Sequence, residues 1–435
     1  MVEVNVKVSK ALAPLKGTIR AESDKSISQR LIIFSLLTED KCQLKNLSKA
    51  LDPLSALEAV KQLGLSSTYK NDTLVTQGVG LMKLKEANQP VNCGNSGTLM
   101  RLLLGLLAGS NAFTVLTGDE SLNSRPMLRV VEPLKEMGAT IYGRENDSKA
   151  PLAVKGHNLK ALNYSLKVPS AQVKSALILA ALQATGISKI EEKLPSRDHT
   201  ERILTAMGAK IEKNGLWLEI QPAAKLSGLD FAVSADFSAA AFFLGAGLLV
   251  DDSEILINDV NLNPTRTGLL KVIERMGVRT EKEEEENIEP VGNLLIKHQN
   301  LKGTVVLEEE LPTLIDEVPL LAVLAAKADG ETIIKGVSEL RVKESDRLQG
   351  IVDLCRLLGR EAEIQGDDLI IFGQAGYFEG GVYDPKKDHR LAMAAAVAAL
   401  NSKEGIEILD ADCCQISQPS FFPQLKELGA TFETA

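Results

Sequence analysis

One hydrophobic pattern returns along the chain: an amphipathic helical stretch closes on Leu-Gly or Met-Gly, and a short strand-like run follows. It occurs at Leu63-Gly64, Met137-Gly138, Met207-Gly208, Met276-Gly277, Leu358-Gly359 and Leu428-Gly429. A glycine just past the last apolar helical position is the common C′ residue that ends a helix. Behind several copies stands a turn dipeptide, Asn71-Asp72, Asn214-Gly215 or Gly366-Asp367, leading into a second strand such as 216–220 or 369–372. These dipeptides predict hairpins. Six copies roughly seventy residues apart predict an internal repeat of mixed α/β units, each with about two helices and a few strands.

The copies fall into two sets of three, with a candidate boundary near Ala223–Gly228, where the pattern restarts into Phe231-Ala232-Val233. Two halves of about 200 residues match the usual domain size, and a cleft between them is the default expectation for a ligand. No apolar run approaches the roughly 20 residues of a membrane span. The start, Met1–Val8, alternates like a strand and lacks the apolar block of a signal peptide, so a soluble, cytoplasmic protein is expected. The five cysteines show no CxxC or Cys/His metal spacing, which predicts free thiols and no metal site. The run Glu281–Glu286 reads as a solvated hairpin tip. With a net charge of -9, general nucleic-acid binding is disfavoured, and an anionic ligand must be held by a local cluster of cations.

Helix starts carry the candidate chemistry. Ser23-Asp24-Lys25-Ser26-Ile27-Ser28-Gln29-Arg30 runs into the apolar stretch 31–37, with Ser23 or Asp24 as N-cap and first-turn amides free to bind an anion. Lys25 sharpens that reading, because a cation in the first turn opposes the helix dipole unless an anion lies between them. Cys93-Gly94-Asn95-Ser96-Gly97-Thr98-Leu99-Met100-Arg101 sets a glycine turn before another apolar helix, without the spacing of a Walker loop. Arg125 offers a fork for phosphate or carboxylate. Pro169–Ala176 opens a third apolar helix with Ser170 as cap and Gln172 and Lys174 in the first turn. Ser196-Arg197-Asp198-His199 opens a fourth, where His199 reads as a capping or surface residue rather than a base.

In the second half, Asp316 reads as an N-cap at the mouth of an apolar helix, Glu344 and Arg347 share a face at i, i+3, and Asp388-His389-Arg390 caps an alanine-rich helix. One explanation covers the set: helix mouths surround a substrate with several negative charges, and Asp316 and Glu344 serve as base and acid.

The strings DKSISQR, CGNSGTLMR, RPM, PSAQVKSA, PSRDHTER, LIDEVP, RVKESDR and DHR, in this order over about residues 5 to 425, closely resemble the 5-enolpyruvylshikimate-3-phosphate synthase family, in its bacterial variants with SAQVKSA rather than SSQ. The resemblance implies transfer of the enolpyruvyl group of phosphoenolpyruvate to the 5-hydroxyl of shikimate 3-phosphate, releasing phosphate, on the route to chorismate and aromatic amino acids. It implies an α/β fold of two similar globular domains, each of three βαβαββ repeats (an inside-out α/β barrel), with the active site in the interdomain cleft. One domain would be discontinuous, residues 1–20 with 233–435, and 21–232 would be inserted in it. The chain would cross near Gly17–Ala21 and again near Leu229–Ala235, which the hydrophobic pattern alone does not show. The two small-molecule substrates are the implied partners, with no cofactor, metal, nucleic acid or membrane, and the family's usual state is a monomer.

Roles carry over by position. Lys25, Ser26, Arg30, Ser170, Ala171, Gln172, Ser196, Asp316 and Lys343 would hold shikimate 3-phosphate. Lys25, Gly97, Arg125, Gln172, Arg347 and Arg390 would hold phosphoenolpyruvate, the last two at its carboxylate. Asp316 would take the 5-hydroxyl proton, Glu344 would protonate the methylene carbon, and Lys25 would stabilise the added negative charge.

Three positions depart from the family pattern. Many members carry a phosphate-binding lysine just before a late FP motif, where this chain reads Cys414-Gln415-Ile416-Ser417-Gln418-Pro419. An asparagine of some members is Glu339 here, and Ala171 is often serine. The missing lysine implies weaker affinity for phosphoenolpyruvate. It is also the one feature favouring a catalytically silent anion binder, against which Asp316 and Glu344 both stand. The UDP-N-acetylglucosamine enolpyruvyl transferases share the implied fold but use a loop cysteine before their Arg-Pro and a Lys-Asn pair near the start; here Ser124 precedes Arg125 and Ser26 follows Lys25.

Overall fold

The computed structural model describes residues 4–285 and 287–434, so Met1–Glu3 of the expected first strand and Glu286 of the acidic run lie outside it. Among the described residues the strands form six four-stranded sheets of one design. In each, the first two strands are parallel and the next two are added antiparallel. The sheet of Val91–Asn92, Phe113–Thr117, Lys149–Lys155 and Thr140–Gly143 is typical. A parallel step needs a crossover, and here the crossing element is the apolar helix Gly97–Ala108, buried at almost every residue. A second, amphipathic helix, Leu128–Glu136, leads to the closing hairpin. The order strand, buried helix, strand, amphipathic helix, hairpin is the repeat that the sequence pattern marks.

All six C′ glycines take positive φ, from 68° at Gly359 to 114° at Gly64, where a β-carbon would be strained. The three turn dipeptides join the antiparallel strands Ser66–Lys70 and Thr73–Gln77, Ile211–Asn214 and Trp217–Ile220, and Glu361–Gln365 and Asp368–Gly373. The acidic run departs from expectation. Glu281–Glu285 is an exposed edge strand paired with Val291–Lys297, not a hairpin tip. A row of carboxylates on an edge deters pairing with another chain, which gives the run a structural use.

The chain divides into two compact units, Ser23–Val233 and a discontinuous one of Met1–Glu22 with Ser234–Ala435. Each holds three of the sheets around its own hydrophobic core. The first sheet of each unit takes its leading strand from far along the chain. Phe231–Ala232 lies parallel to Lys41–Lys45, and Lys16–Ile19 lies parallel to Glu254–Asn261. Val6–Val8 inserts between Ile406–Ile408 and Phe432–Thr434, so the N-terminal segment completes two sheets of the discontinuous unit.

One close packing sets up the candidate site. A β-carbon on Gly105 would stand 2.1 Å from the Ala176 carbonyl oxygen, so only glycine lets the helices Gly97–Ala108 and Ala171–Ala181 approach so tightly.

Candidate active site

In the Ser23–Val233 unit, side chains link the mouths of the buried helices directly. Asp24, not Ser23, caps the helix Lys25–Ser35 by accepting the Ile27 N–H at 2.7 Å. From that helix Gln29 donates to the Ser96 hydroxyl at 2.7 Å, and Ser96 in turn caps the Gly97 helix. Arg30, almost fully buried, donates to Thr200 Oγ1 at 2.8 Å and to Ser175 Oγ at 3.3 Å, which fixes its fork between two further helices. Ser170 caps the Ala171 helix and, having accepted the Val173 N–H, keeps its own hydroxyl hydrogen to give. Gln172 accepts from Arg101 and donates to Thr98 Oγ1 at 2.9 Å. Arg125 donates to Asn95 Oδ1 at 2.7 Å. One end of this unit therefore joins Lys25, Arg30, Arg101 and Arg125 to three helix N-termini, a strongly anion-attracting surface in an acidic chain.

Lys25 resolves the conflict with its helix dipole in part through the protein, since its Nζ lies 3.3 Å from Asp52 Oδ2 of the neighbouring helix Leu51–Gln62. His199 is fully buried, because it opens a helix packed inside the unit; it is not a surface residue.

The discontinuous unit holds a second cluster, rich in both signs. Arg347, 1% exposed, lays its Nε and Nη2 on Asp388 at 2.9 and 3.2 Å and donates to Glu344 at 2.6 Å. Its Nη1 is 3.9 Å from Asp316. Burial works against the Arg347 charge, but Asp388, Glu344 and Asp316 outweigh it and hold the guanidinium firmly protonated. Burial likewise raises the Asp388 carboxyl, yet Arg347 and His389 prevail and hold it below the usual carboxylate range. Arg390 donates to the Asp316 carbonyl at 2.9 Å, with Nη2 3.6 Å from that residue's carboxylate. Its Nη1 is also 3.8 Å from buried Glu317, which accepts from Ser238. Lys343 is crowded by protein, which lowers its ammonium, while Asp316 and Glu339 oppose the shift.

Two sequence expectations change here. Asp316 is not an N-cap: it sits in the preceding turn, and Glu317 holds the cap position of Val318–Lys327. Glu344 and Arg347 do not share a helix face either, because the helix begins at Arg347 and Glu344 pairs with it from the loop before. Arg101, Asp388, Glu317 and Asp52 were not expected in the site. Arg101 had a legible signal, standing one helical turn after Gly97. Asp388 read only as a cap, and nothing near Asp52 in the sequence points to Lys25. At the position of the absent lysine, Gln415 is exposed and Ile416 half-buried, at the end of the short helix Ala411–Ile416. All five cysteines are buried free thiols. Among the described residues no cluster suits a metal ion, and no helix is long and apolar enough to cross a membrane.

One cluster gathers cations at helix mouths, and the other sets Asp316 and Glu344 among guanidinium groups, the kind of arrangement an enzyme acting on small anionic molecules needs. Residues 9–425 match the model of the family described as EPSP synthase (3-phosphoshikimate 1-carboxyvinyltransferase), and the chain belongs to that family. The 3-phosphoshikimate 1-carboxyvinyltransferase of Syntrophomonas wolfei is 43% identical over 97% of this chain and 99% of its own length. That of Thermus thermophilus is 46% identical over 96% of this chain and 97% of its own. The EPSP synthase structure from Acinetobacter baumannii superposes with a TM-score of 0.89 at 34% identity, covering 99% of this chain and 100% of that one. The enolpyruvyl transferase NikO from Streptomyces tendae, at a TM-score of 0.82 and 16% identity, shares the fold.

Proposed function

We propose that this enzyme transfers the enolpyruvyl group of phosphoenolpyruvate to the 5-hydroxyl of shikimate 3-phosphate, giving 5-enolpyruvylshikimate 3-phosphate and phosphate. The observation that carries the reading is the family match over residues 9–425. Asp316 removes the 5-hydroxyl proton as the oxygen attacks C2 of phosphoenolpyruvate, and Glu344 protonates the methylene carbon. The tetrahedral adduct then loses phosphate and a methyl proton, which restores the double bond. Lys25 stabilises the negative charge of addition.

In this reading Ser26, Arg30, Ser170, Ala171, Gln172, Ser196 and Lys343 hold shikimate 3-phosphate, together with Lys25 and Asp316. Gly97, Arg125 and Gln172 receive the phosphate end of phosphoenolpyruvate, and the forks of Arg347 and Arg390 receive its carboxylate. The two compact units are its domains, and it acts as a cytoplasmic monomer on these small molecules.

The test is phosphate release from purified protein, with each substrate omitted in turn and UDP-N-acetylglucosamine as an alternative acceptor. Release requiring both shikimate 3-phosphate and phosphoenolpyruvate is expected. A protein that binds shikimate 3-phosphate and releases no phosphate is a silent binder instead.

Two further outcomes follow from named residues. Gln415→Lys adds a cation at an exposed position beside that of the absent lysine and lowers the KM for phosphoenolpyruvate; Ile416→Lys does the same at some cost in packing, since Ile416 rests on the core. Unchanged KM in both variants removes that lysine from consideration. Gly97→Ala puts a methyl 2.9 Å from Arg101 Nη1, so that guanidinium must shift, and in ordinary contact, 3.5 Å, with Arg125 Nη1, which fills space beside two cations. In the resembled family a glycine at this position leaves room for the inhibitor glyphosate, so the inhibition constant for glyphosate is expected to rise; an equal constant in both proteins rejects that steric account.

A further inference from the structure

Behind Ser196 lies a buried ionic cluster with an unusual charge count. The Lys174 ammonium, with no exposed surface, is 3.0 Å from Glu192 Oε1 and 2.7 Å from Glu201 Oε1, and it donates to the Ser196 carbonyl at 3.2 Å. Glu192, equally buried, accepts the Ser196 N–H at 3.0 Å and also its hydroxyl. Its other oxygen is 3.8 Å from Lys213, a lysine whose side chain is 40% exposed. Both backbone polar groups of Ser196 and its side chain are thus held by this one cluster. Burial works against the Lys174 charge, but Glu201 and Glu192 more than restore it. Burial also raises the Glu201 carboxyl, against the pull of Lys174.

Core packing alone does not call for such an arrangement. Taking an ammonium and two carboxylates out of water costs several kcal/mol per ion, and apolar residues of the same volume are often no less stable. Lys174 also stands in a first helical turn, where the dipole disfavours it. Its place in the chain is informative: it follows Gln172 by two residues on the helix that Ser170 caps, and Glu201 lies in the first turn of the helix that follows Ser196. One ammonium therefore ties together the segments bearing Ser170, Gln172 and Ser196.

We propose that Lys174 and Glu192 are positioning residues for shikimate 3-phosphate, a step that rests on the reading of the site given above. Glu192 fixes the Ser196 backbone, and Lys174 gives Glu192 a second donor. Ser196 can then turn its hydroxyl to a substrate phosphate without leaving a buried carboxylate unsatisfied, a loss that would otherwise oppose binding.

The test is steady-state kinetics on folded protein. The unmodified enzyme must first release phosphate only with both substrates; if it does not, the functional reading fails, whatever the variants do. Given that activity, Lys174→Met raises the KM for shikimate 3-phosphate at least about tenfold, the scale of one charge-assisted hydrogen bond. Its kcat and its KM for phosphoenolpyruvate stay within about twofold. The isosteric Glu192→Gln moves the same constant the same way and decides the matter if Lys174→Met does not fold. Lys213→Gln, which removes only the exposed cation, leaves both KM values unchanged. A KM for shikimate 3-phosphate that stays put in folded Glu192→Gln, an equal rise in both KM values, or an equal effect of Lys213→Gln overturns the proposal.

Discussion

Asp316→Ala lowers kcat by at least about a hundredfold, the scale of a lost general base. Geometry makes this substitution informative. Asp316 lies in the turn before the helix whose cap position Glu317 holds. The bond from Arg390 goes to the Asp316 backbone carbonyl, which survives truncation of the side chain. Its carboxylate also stands 3.9 Å from Arg347 Nη1 and 3.6 Å from Arg390 Nη2, so stability is measured beside the rate. Lys25→Ala is expected to fall as far, although it also leaves Asp52 without the ammonium 3.3 Å away. Steady-state rates on variants with unchanged circular dichroism decide the matter, and a near-normal kcat removes either residue from its role.

Asp388→Ala is expected to destabilise the discontinuous unit by about 3–5 kcal/mol, because it strands a buried guanidinium. Arg347 is 1% exposed and its fork rests on Asp388, which has no exposed surface. The same carboxylate accepts the Arg390 and Leu391 N–H groups at the start of the helix His389–Ala399, so both guanidinium groups assigned to the phosphoenolpyruvate carboxylate lose their support. The KM for phosphoenolpyruvate should rise with the loss of stability. Because the folded carboxyl is held below its ordinary value, its contribution is complete above the unfolded value of about 3.9 and fades as pH falls through the lower folded one. Urea denaturation at neutral pH and at about pH 3, below that unfolded value, measures both effects. A variant within about 1 kcal/mol of the parent at neutral pH would show that Arg347 is neutralised by Glu344 and Asp316 alone.

The sequence by itself determined what depends on neighbours along the chain. Helix ends, hairpin turns and helix mouths each require particular residue types at fixed short offsets, so the six C′ glycines, the three turn dipeptides and the cap at Ser170 could be read directly. The family strings identified the candidate residues for the same reason, since each is a contiguous piece of one helix mouth. Where local logic met tertiary packing it failed in specific ways. Glu281–Glu285 became an edge strand through pairing with Val291–Lys297, and His199 was buried by the packing of its helix.

Only the tertiary structure decided which polar side chains meet. Arg101 meets Gln172 across 71 residues and Arg347 meets Asp388 across 41, while Lys174 gathers Glu192 and Glu201 from different elements. The leading strands of the first sheets likewise come from distant segments. Such contacts follow from how buried helices and sheets pack, through close approaches such as that at Gly105, and packing leaves no periodic trace in the residues it brings together.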